Sequence, residues 1–248
     1  MTSSPPMRVA VISDVHGNLP ALERVLEEIA RERPDGVWCL GDTVGYGPWP
    51  SECCQKVRAS AQVTLVGNHD LGVLGAIDLA EFAPEAAVAA RWARGVLDEE
   101  SRRWLSSLVP SAELPQASLF HGSPRDPIWG YVLTFEAALA AIKASSRPLV
   151  LVGHSHVPLA IQLQGGRLGG GHAPEGTISD LASGRWLLNP GSVGQPRDGD
   201  PRASWLLVDF SAGQAWHRRV AYDVARAQAA VRRARLPEGL AARLAAGV

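Results

Sequence analysis

The sequence predicts an α/β protein built around a mostly parallel sheet, and three patterns carry that reading. Short β-branched runs at 8–13, 36–42 and 62–70 alternate with helical stretches, the rhythm of strands joined by right-handed crossovers. After residue 157 the rhythm changes to short apolar runs between Gly-rich turns, which predicts an antiparallel second sheet. Each early run also closes on a glycine or small polar residue and then on Asp, His or Asn, and in open α/β sheets ligands bind outside the carboxyl ends of the strands.

Each element follows from local chemistry. "RVAVIS" (8–13) reads as a buried strand, and "LPALERVLEEIARERP" (19–34) places Leu19, Leu22, Val25, Leu26 and Ile29 at helical spacing before a stop at Pro34. "GVWCLGD" (36–42) is a second strand. Ser51 is the expected cap of a helix "SECCQKVRAS" (51–60), and "QVTLVGNHD" (62–70) is a third strand. Ala, Glu, Arg and Leu dominate 83–109, predicting two helices joined near Glu100 and Ser101; the segment 83–110 reads as a lid or a dimer surface, and both remain open at this point. "ASLFHGS" (117–123) and "PLVLVGHSH" (148–156) are strands around a helix at 134–145. "LAIQLQ" (159–164), "RWLLNPGS" (185–192), "SWLLVDF" (204–210) and "AWHRRV" (215–220) follow, with "GGRLGGG" (165–171) as a loop. Two helices close the chain at 222–246, their arginines on solvated faces.

The 248 residues, 46 % hydrophobic and 20 % charged with a net charge of -1, fit one domain over 1–248. That charge gives no electrostatic case for nucleic acid or a membrane surface as partner. The opening "MTSSPPMRVAVISD" has no basic segment followed by a long apolar one, and no run reaches membrane-spanning length, so a cytoplasmic protein is expected. Cys39, Cys53 and Cys54 form neither a disulfide framework nor a thiolate metal site.

Five stretches that follow strands carry five of the seven histidines: "SDVHGN" with Asp14 and His16, "GDTVG" with Asp42, "GNHD" with Asn68, His69 and Asp70, "FHGS" with His121, and "GHSH" with His154 and His156. Alone, each motif is weak, and a single histidine at a strand end is most often structural. All five, however, leave the same edge of the inferred sheet. Oxygen and imidazole donors without thiolate suit Mn²⁺, Fe, Zn²⁺ or Ni²⁺ rather than a closed structural zinc site. Asp14, His16, Asp42, Asn68, His121, His154 and His156 are too many for one ion with an open position, and about right for two ions sharing one carboxylate. Asp42, alone in its motif, is the natural bridge. An extended H-x-H points alternate side chains the same way, so His154 and His156 would serve neighbouring ions.

D-x-H, G-D, G-N-H-D, H-G and G-H-S-H, in this order across 9–194, resemble the calcineurin-like metallophosphoesterases, and "NPGSVGQPRDGDPRASWLLVD" resembles their small bacterial phosphodiesterase-type members. The resemblance implies a four-layered α/β-β/α sandwich, two mixed sheets facing each other with helices outside and two divalent ions at one end. It assigns Asp14, His16, Asp42 and His156 to one ion, and Asp42, Asn68, His121 and His154 to the other. His69 would be the general acid, oriented by Asp70, and a hydroxide held between the ions would attack a small-molecule or nucleotide phosphoester in line. The rival is a non-catalytic scaffold on the same fold, in which such positions are replaced; here they stand.

Three further residues are read as substrate contacts. Arg197 in "GQPRDGD" and Arg125 in "HGSPRDP" are loop arginines able to clamp a phosphate, against a bland reading as surface partners of Asp198 or Asp126. Tyr46 in "GYGPWP", with Trp49, is placed to stack on a base or aryl group or only to wall the cleft; Trp129 and Tyr131 offer a second rim. His172 and His217 match no motif and are read as structural or surface residues.

Overall fold

A computed structural model describes residues 8–248, so the reading of the first seven residues lies outside the described part. The first half of the chain is β1 (Arg8–Ile12), α1 (Leu19–Glu32), β2 (Gly36–Cys39), α2 (Pro50–Ser60), β3 (Val63–Thr64), α3 (Asn68–Leu74), α4 (Pro84–Val96) and α5 (Glu99–Ser106). Next come β4 (Ser111–Glu113), β5 (Ala117–Phe120), α6 (Phe135–Ala144), β6 (Leu149–Val152), β7 (Leu159–Gln164) and β8 (Arg167–His172). The chain closes with β9 (Ile178–Asp180), β10 (Arg185–Asn189), β11 (Ala203–Asp209), β12 (Gln214–Val220), α7 (Val224–Arg233) and α8 (Glu238–Ala246).

These strands form two six-stranded mixed sheets, ordered β3-β2-β1-β11-β12-β9 and β4-β5-β6-β10-β7-β8. Two mixed sheets are what the family resemblance implied; the simpler division into a parallel first sheet and an antiparallel second one, read from the rhythm of the chain, is corrected. β11 returns to pair antiparallel with β1, and β10 lies between β6, to which it is parallel, and β7, to which it is antiparallel. The late strands satisfy the open edges of the early parallel ones, so each sheet draws on both halves of the chain.

Period-two alternation explains the layers. From β1, Val9 and Val11 face inward to meet Trp38, Leu119, Leu151, Leu188 and Leu206 between the sheets. Ala10 and Ile12 face outward and pack with Leu22, Val25 and Ile29 of α1 and with Cys53 and Val57 of α2. On the far side, Ala138 and Ile142 of α6 cover Val150, Val152 and Leu187. The result is the four-layered sandwich, in which each fully buried Leu or Ile contributes roughly 1.5–3 kcal/mol.

α1 is capped by Asn18, whose Oδ1 accepts from Ala21 N. α2 differs from expectation: Pro50 opens it, and the Ser51 hydroxyl instead accepts from Asp98 N. The two helices of the 83–110 segment break at Asp98, which caps α5, rather than at Glu100 and Ser101. "GNHD" is not strand but the start of α3. "GGRLGGG" is not all loop; its first two glycines make a hairpin turn and the rest is β8, paired with β7.

α4 and α5 pack on α2 and α3 through Ala87, Ala90, Leu97 and Leu105 against Val44, Cys54 and Val73. The other side of α4, through Ala86 and Ala89, meets α7 and α8 and the ring of Tyr46. No helix among the described residues is long and apolar enough to cross a membrane. The three cysteines are buried and unpaired.

Candidate metal centre

The parallel strands β1, β2 and β3 of one sheet and β5 and β6 of the other end at the same end of the sandwich, and their following loops meet there. Asp14 N donates to Gly41 O and His16 N to Asp42 O, both at 3.0 Å, so the loops after β1 and β2 are laced together. Asp14, His16 and His156 place ligand atoms within 4.8 Å of one another, as do Asp42, His121 and His154. A third group, His16, Asp42 and His69, lies between them. Asn68 Oδ1 is 3.2 Å from His121 Nε2, joining the second group. All seven predicted ligand positions thus converge, and each of the first two groups draws on both sheets.

The local backbone is unusual. Asp14, His16, Asp42, His154 and His156 all adopt left-handed backbone, with φ between 50° and 63°. Asp and His tolerate this region better than bulky residues, and such strained positions concentrate at functional sites. The expectation of an extended H-x-H is therefore corrected. After β6 the chain turns at Gly153, where Asn189 Nδ2 donates to Gly153 O at 2.8 Å and to Ser155 Oγ at 3.0 Å. The turn sends His154 to the Asp42 group and His156 to the Asp14 group.

Whether these residues suit divalent ions can be judged from their protons. His16 Nδ1 lies 3.2 Å from Val44 O, His121 Nδ1 2.9 Å from Leu40 O, and His156 Nδ1 2.6 Å from Gln195 O. A carbonyl only accepts, so Nδ1 carries the proton in each ring and Nε2 turns its lone pair inward. Burial holds His16 and His156 well below their usual range and lowers His154 to about 3, which leaves these imidazoles in the neutral, ligating form. His121 is the exception: burial opposes its charge, but the Asp42 carboxylate beside it raises it to about 9. Burial raises Asp14 to about 7; burial pushes Asp42 up as well, but the charged His121 beside it holds it well below the usual range. Asp14 Oδ1, Asp42 Oδ2 and His154 Nε2 are buried without a hydrogen-bond partner among the described residues. Orphaned oxygens facing inward lone pairs, with no thiolate among them, fit hard or borderline divalent cations.

Asp42 is the one carboxylate that two of the three groups have in common. Its Oδ1 accepts from His69 N at 2.8 Å, and its Oδ2 lies 3.6 Å from His16 Nε2 and 3.5 Å from His121 Nε2. Gly67 is required beside it, because a Cβ there would collide with Asp42 Oδ1.

Asp70 departs from its expected role. Its two oxygens accept from Val44 N and Gly67 N, each at 3.0 Å, and it makes no hydrogen bond to His69. It locks the loop after β2 to the start of α3 as a capping residue. His69 is instead enclosed by rings, with centroids at 4.4 Å for Tyr46, 4.7 Å for His16 and 5.0 Å for Phe82. Burial lowers it to about 4, outweighing the nearby Asp42 carboxylate, which favours the protonated ring.

Of the predicted substrate contacts, Tyr46 and Arg197 reach this centre. Arg197 donates to Tyr46 Oη at 3.2 Å and to Gln195 Oε1 at 2.8 Å, and its Nε is buried without a partner among the described residues. Asp198 does not pair with it, being held by Arg219 and His172. Arg125 is exposed and lines a groove with Ser123 and Tyr131, with no hydrogen bond or ion pair to the histidine groups. Trp49 has Arg226 of α7 over its ring at 5.9 Å and lines a small cavity that it shares with His16 and Tyr46. His172 and His217 lie outside the centre, the latter buried and donating through Nε2 to Asn189 O at 3.0 Å. The sequence reading missed Phe82, a single ring before a helix-opening proline, and Gln195 and Asn189, whose amides only tertiary contacts make functional.

Two mixed sheets face to face, with an Asp–His–Asn cluster where their parallel strands end, are the architecture of the metallophosphoesterase fold. Residues 7–213 match the calcineurin-like phosphoesterase superfamily domain, and the chain belongs to that superfamily. It is 38 % identical over 244 residues to an uncharacterised protein of Methanocaldococcus jannaschii, covering 96 % of this chain and 98 % of that one. The phosphodiesterase YfcE of Escherichia coli K12 is 27 % identical over 207 residues, covering 82 % of this chain and 88 % of that protein. The crystal structure of a metallophosphoesterase from Sphaerobacter thermophilus superposes with a TM-score of 0.88 at 43 % identity, covering 98 % of this chain and 100 % of that one.

Proposed function

We propose that the protein is a cytoplasmic hydrolase of a small phosphodiester or nucleotide phosphoester that uses two divalent ions, with Mn²⁺, Fe, Ni²⁺ and Zn²⁺ as the candidate metals. The observation that carries this reading is Asp42, whose Oδ2 lies 3.6 Å from His16 Nε2 of one group and 3.5 Å from His121 Nε2 of the other and has no hydrogen-bond partner among the described residues. Asp14, His16, Asp42 and His156 would hold one ion, and Asp42, Asn68, His121 and His154 the other. Bound there, such ions supply Lewis acidity and a water of lowered pKa.

The remaining steps belong to the chain's own side chains. Arg197, with one face on Tyr46 and an unpartnered Nε, binds a phosphate oxygen. Hydrolysis expels an alkoxide, and His69 gives it a proton from its imidazole. Asp70 does not supply the charge that keeps this imidazole protonated; the bound phosphate anion does. The apolar rings around His69 exclude water and strengthen both contacts.

The test is hydrolysis of bis-p-nitrophenyl phosphate beside p-nitrophenyl phosphate by metal-free protein reloaded with each candidate ion. Metal-dependent turnover is expected, abolished in Asp42→Asn; His69→Ala is expected to lose roughly 10²–10⁴-fold on an ester with an alkoxide leaving group and less on these probes, whose p-nitrophenolate leaves unprotonated. Turnover that survives in Asp42→Asn, or none with any ion, overturns the reading.

A further inference from the structure

Three rings at the mouth of the centre supply no candidate metal ligand and no polar contact to phosphate, though Phe82 also walls His69. Phe82 precedes α4, while Trp129 and Tyr131 lie in the loop after β5. The Tyr131 ring lies at 4.0 Å from that of His154 and tilts only 31°, close to stacking. The Trp129 ring is 6.4 Å from His154 and 5.2 Å from Phe82, which in turn meets His69 edge-on. The rings therefore run from the His154 side of the centre to the His69 side.

Their setting argues for a surface that receives something. Val132, the next residue, is buried under α6, whereas Tyr131 is 49 % exposed, so the chain anchors one side chain and leaves its neighbour open. The loop is closed by its own hydrogen bonds. Asp126 Oδ1 accepts from Ile128 N and Trp129 N, its carbonyl accepts from Ser123 N and Gly130 N, and Gly122 N donates to Pro127 O. Any side chain at Gly130 would collide with Ser123 Oγ, which shows how tightly this turn is closed. A preformed aromatic surface costs little ordering entropy when a ligand lands on it.

We propose that Phe82, Trp129 and Tyr131 form a stacking platform for a planar aromatic ring carried by the substrate, a nucleobase or a simple aryl group. This rests on the phosphoester reading of the centre, with Arg197 taking the phosphate. The platform selects the organic part of the substrate; it is distinct from the groups that hold metal or move a proton.

The test is calorimetric binding to the metal-loaded protein, which needs no turnover. AMP is compared with ribose 5-phosphate, and phenyl phosphate with ethyl phosphate, so that each pair shares its phosphate and differs in the ring. Stacking of one ring predicts a Kd roughly 10-fold lower for the aromatic member. A gain for AMP identifies a nucleoside substrate, and a gain for phenyl phosphate alone identifies an aryl ester. Trp129→Leu should bring the ratio towards 1, whereas Trp129→Phe, which keeps a ring, should retain it. A wild-type ratio near 1 in both pairs overturns the platform while leaving the phosphate site intact. If none of the four ligands binds, the phosphate reading falls with it.

Discussion

Arg197 donates to the hydroxyl of Tyr46 at 3.2 Å, and Tyr46 in turn rests its ring on His69, so a charged group and a candidate proton donor share one support. If Arg197 binds the phosphate, Arg197→Ala should lower kcat/KM by about 10²-fold, the scale of losing one charged contact at a reacting centre. Tyr46→Phe removes only the hydroxyl and should cost less than about 10-fold, chiefly in KM. Steady-state kinetics on the metal-loaded variants decide it, and an Arg197→Ala enzyme with wild-type KM and kcat removes Arg197 from the site.

Asp70→Asn separates two roles. The carboxylate accepts from two backbone N–H groups, and an amide would turn an NH₂ donor towards one of them. A loss of about 1–3 kcal/mol in urea unfolding is expected, with weaker metal binding because Gly67 and Asp42 move together. The pH–rate profile should keep its acidic limb unshifted. A shifted limb at unchanged stability would instead mean that Asp70 acts on His69.

His217 predicts an acid sensitivity remote from the metal ligands. Burial, aided by the charges of Arg219 and His172, lowers it from 6.5 to about 4, against its bond to Asn189. The folded state thus binds this proton less readily than the unfolded one. The stabilising contribution is complete above the unfolded value of 6.5 and is lost as pH falls towards about 4. By about pH 5.5 the wild type should have lost on the order of 1 kcal/mol more than His217→Gln, relative to neutral pH. Equal losses in the two proteins would remove His217 as the cause.

Much of this centre was legible because its residues are chemically conspicuous. Asp14, His16, Asp42, Asn68, His121, His154 and His156 follow apolar runs, and strand ends are where a sheet offers polar side chains to a ligand. The partners of those runs were not legible. "SWLLVDF" reads as a strand, but nothing in seven residues states that β11 pairs with β1 across most of the chain. Backbone sign was equally hidden, since the left-handed turn at His154 and His156 depends on hydrogen bonds from Asn189. Asp70 was misread for a related reason: adjacency to His69 suggested a pair, while the fold spent both oxygens on amides. Phe82 had no local signal, because one ring before a proline is ordinary.

The divided origin of the ligands has a consequence for the order of assembly. His16 and His156 face each other across 140 residues of chain, and Asp42 meets His121 and His154 only where the two sheets have docked. Neither sheet by itself holds a complete set of donors for either ion. If the proposed ions bind there, their high-affinity uptake must be a late event in folding and would serve as a clock for the moment at which the halves of the sandwich close.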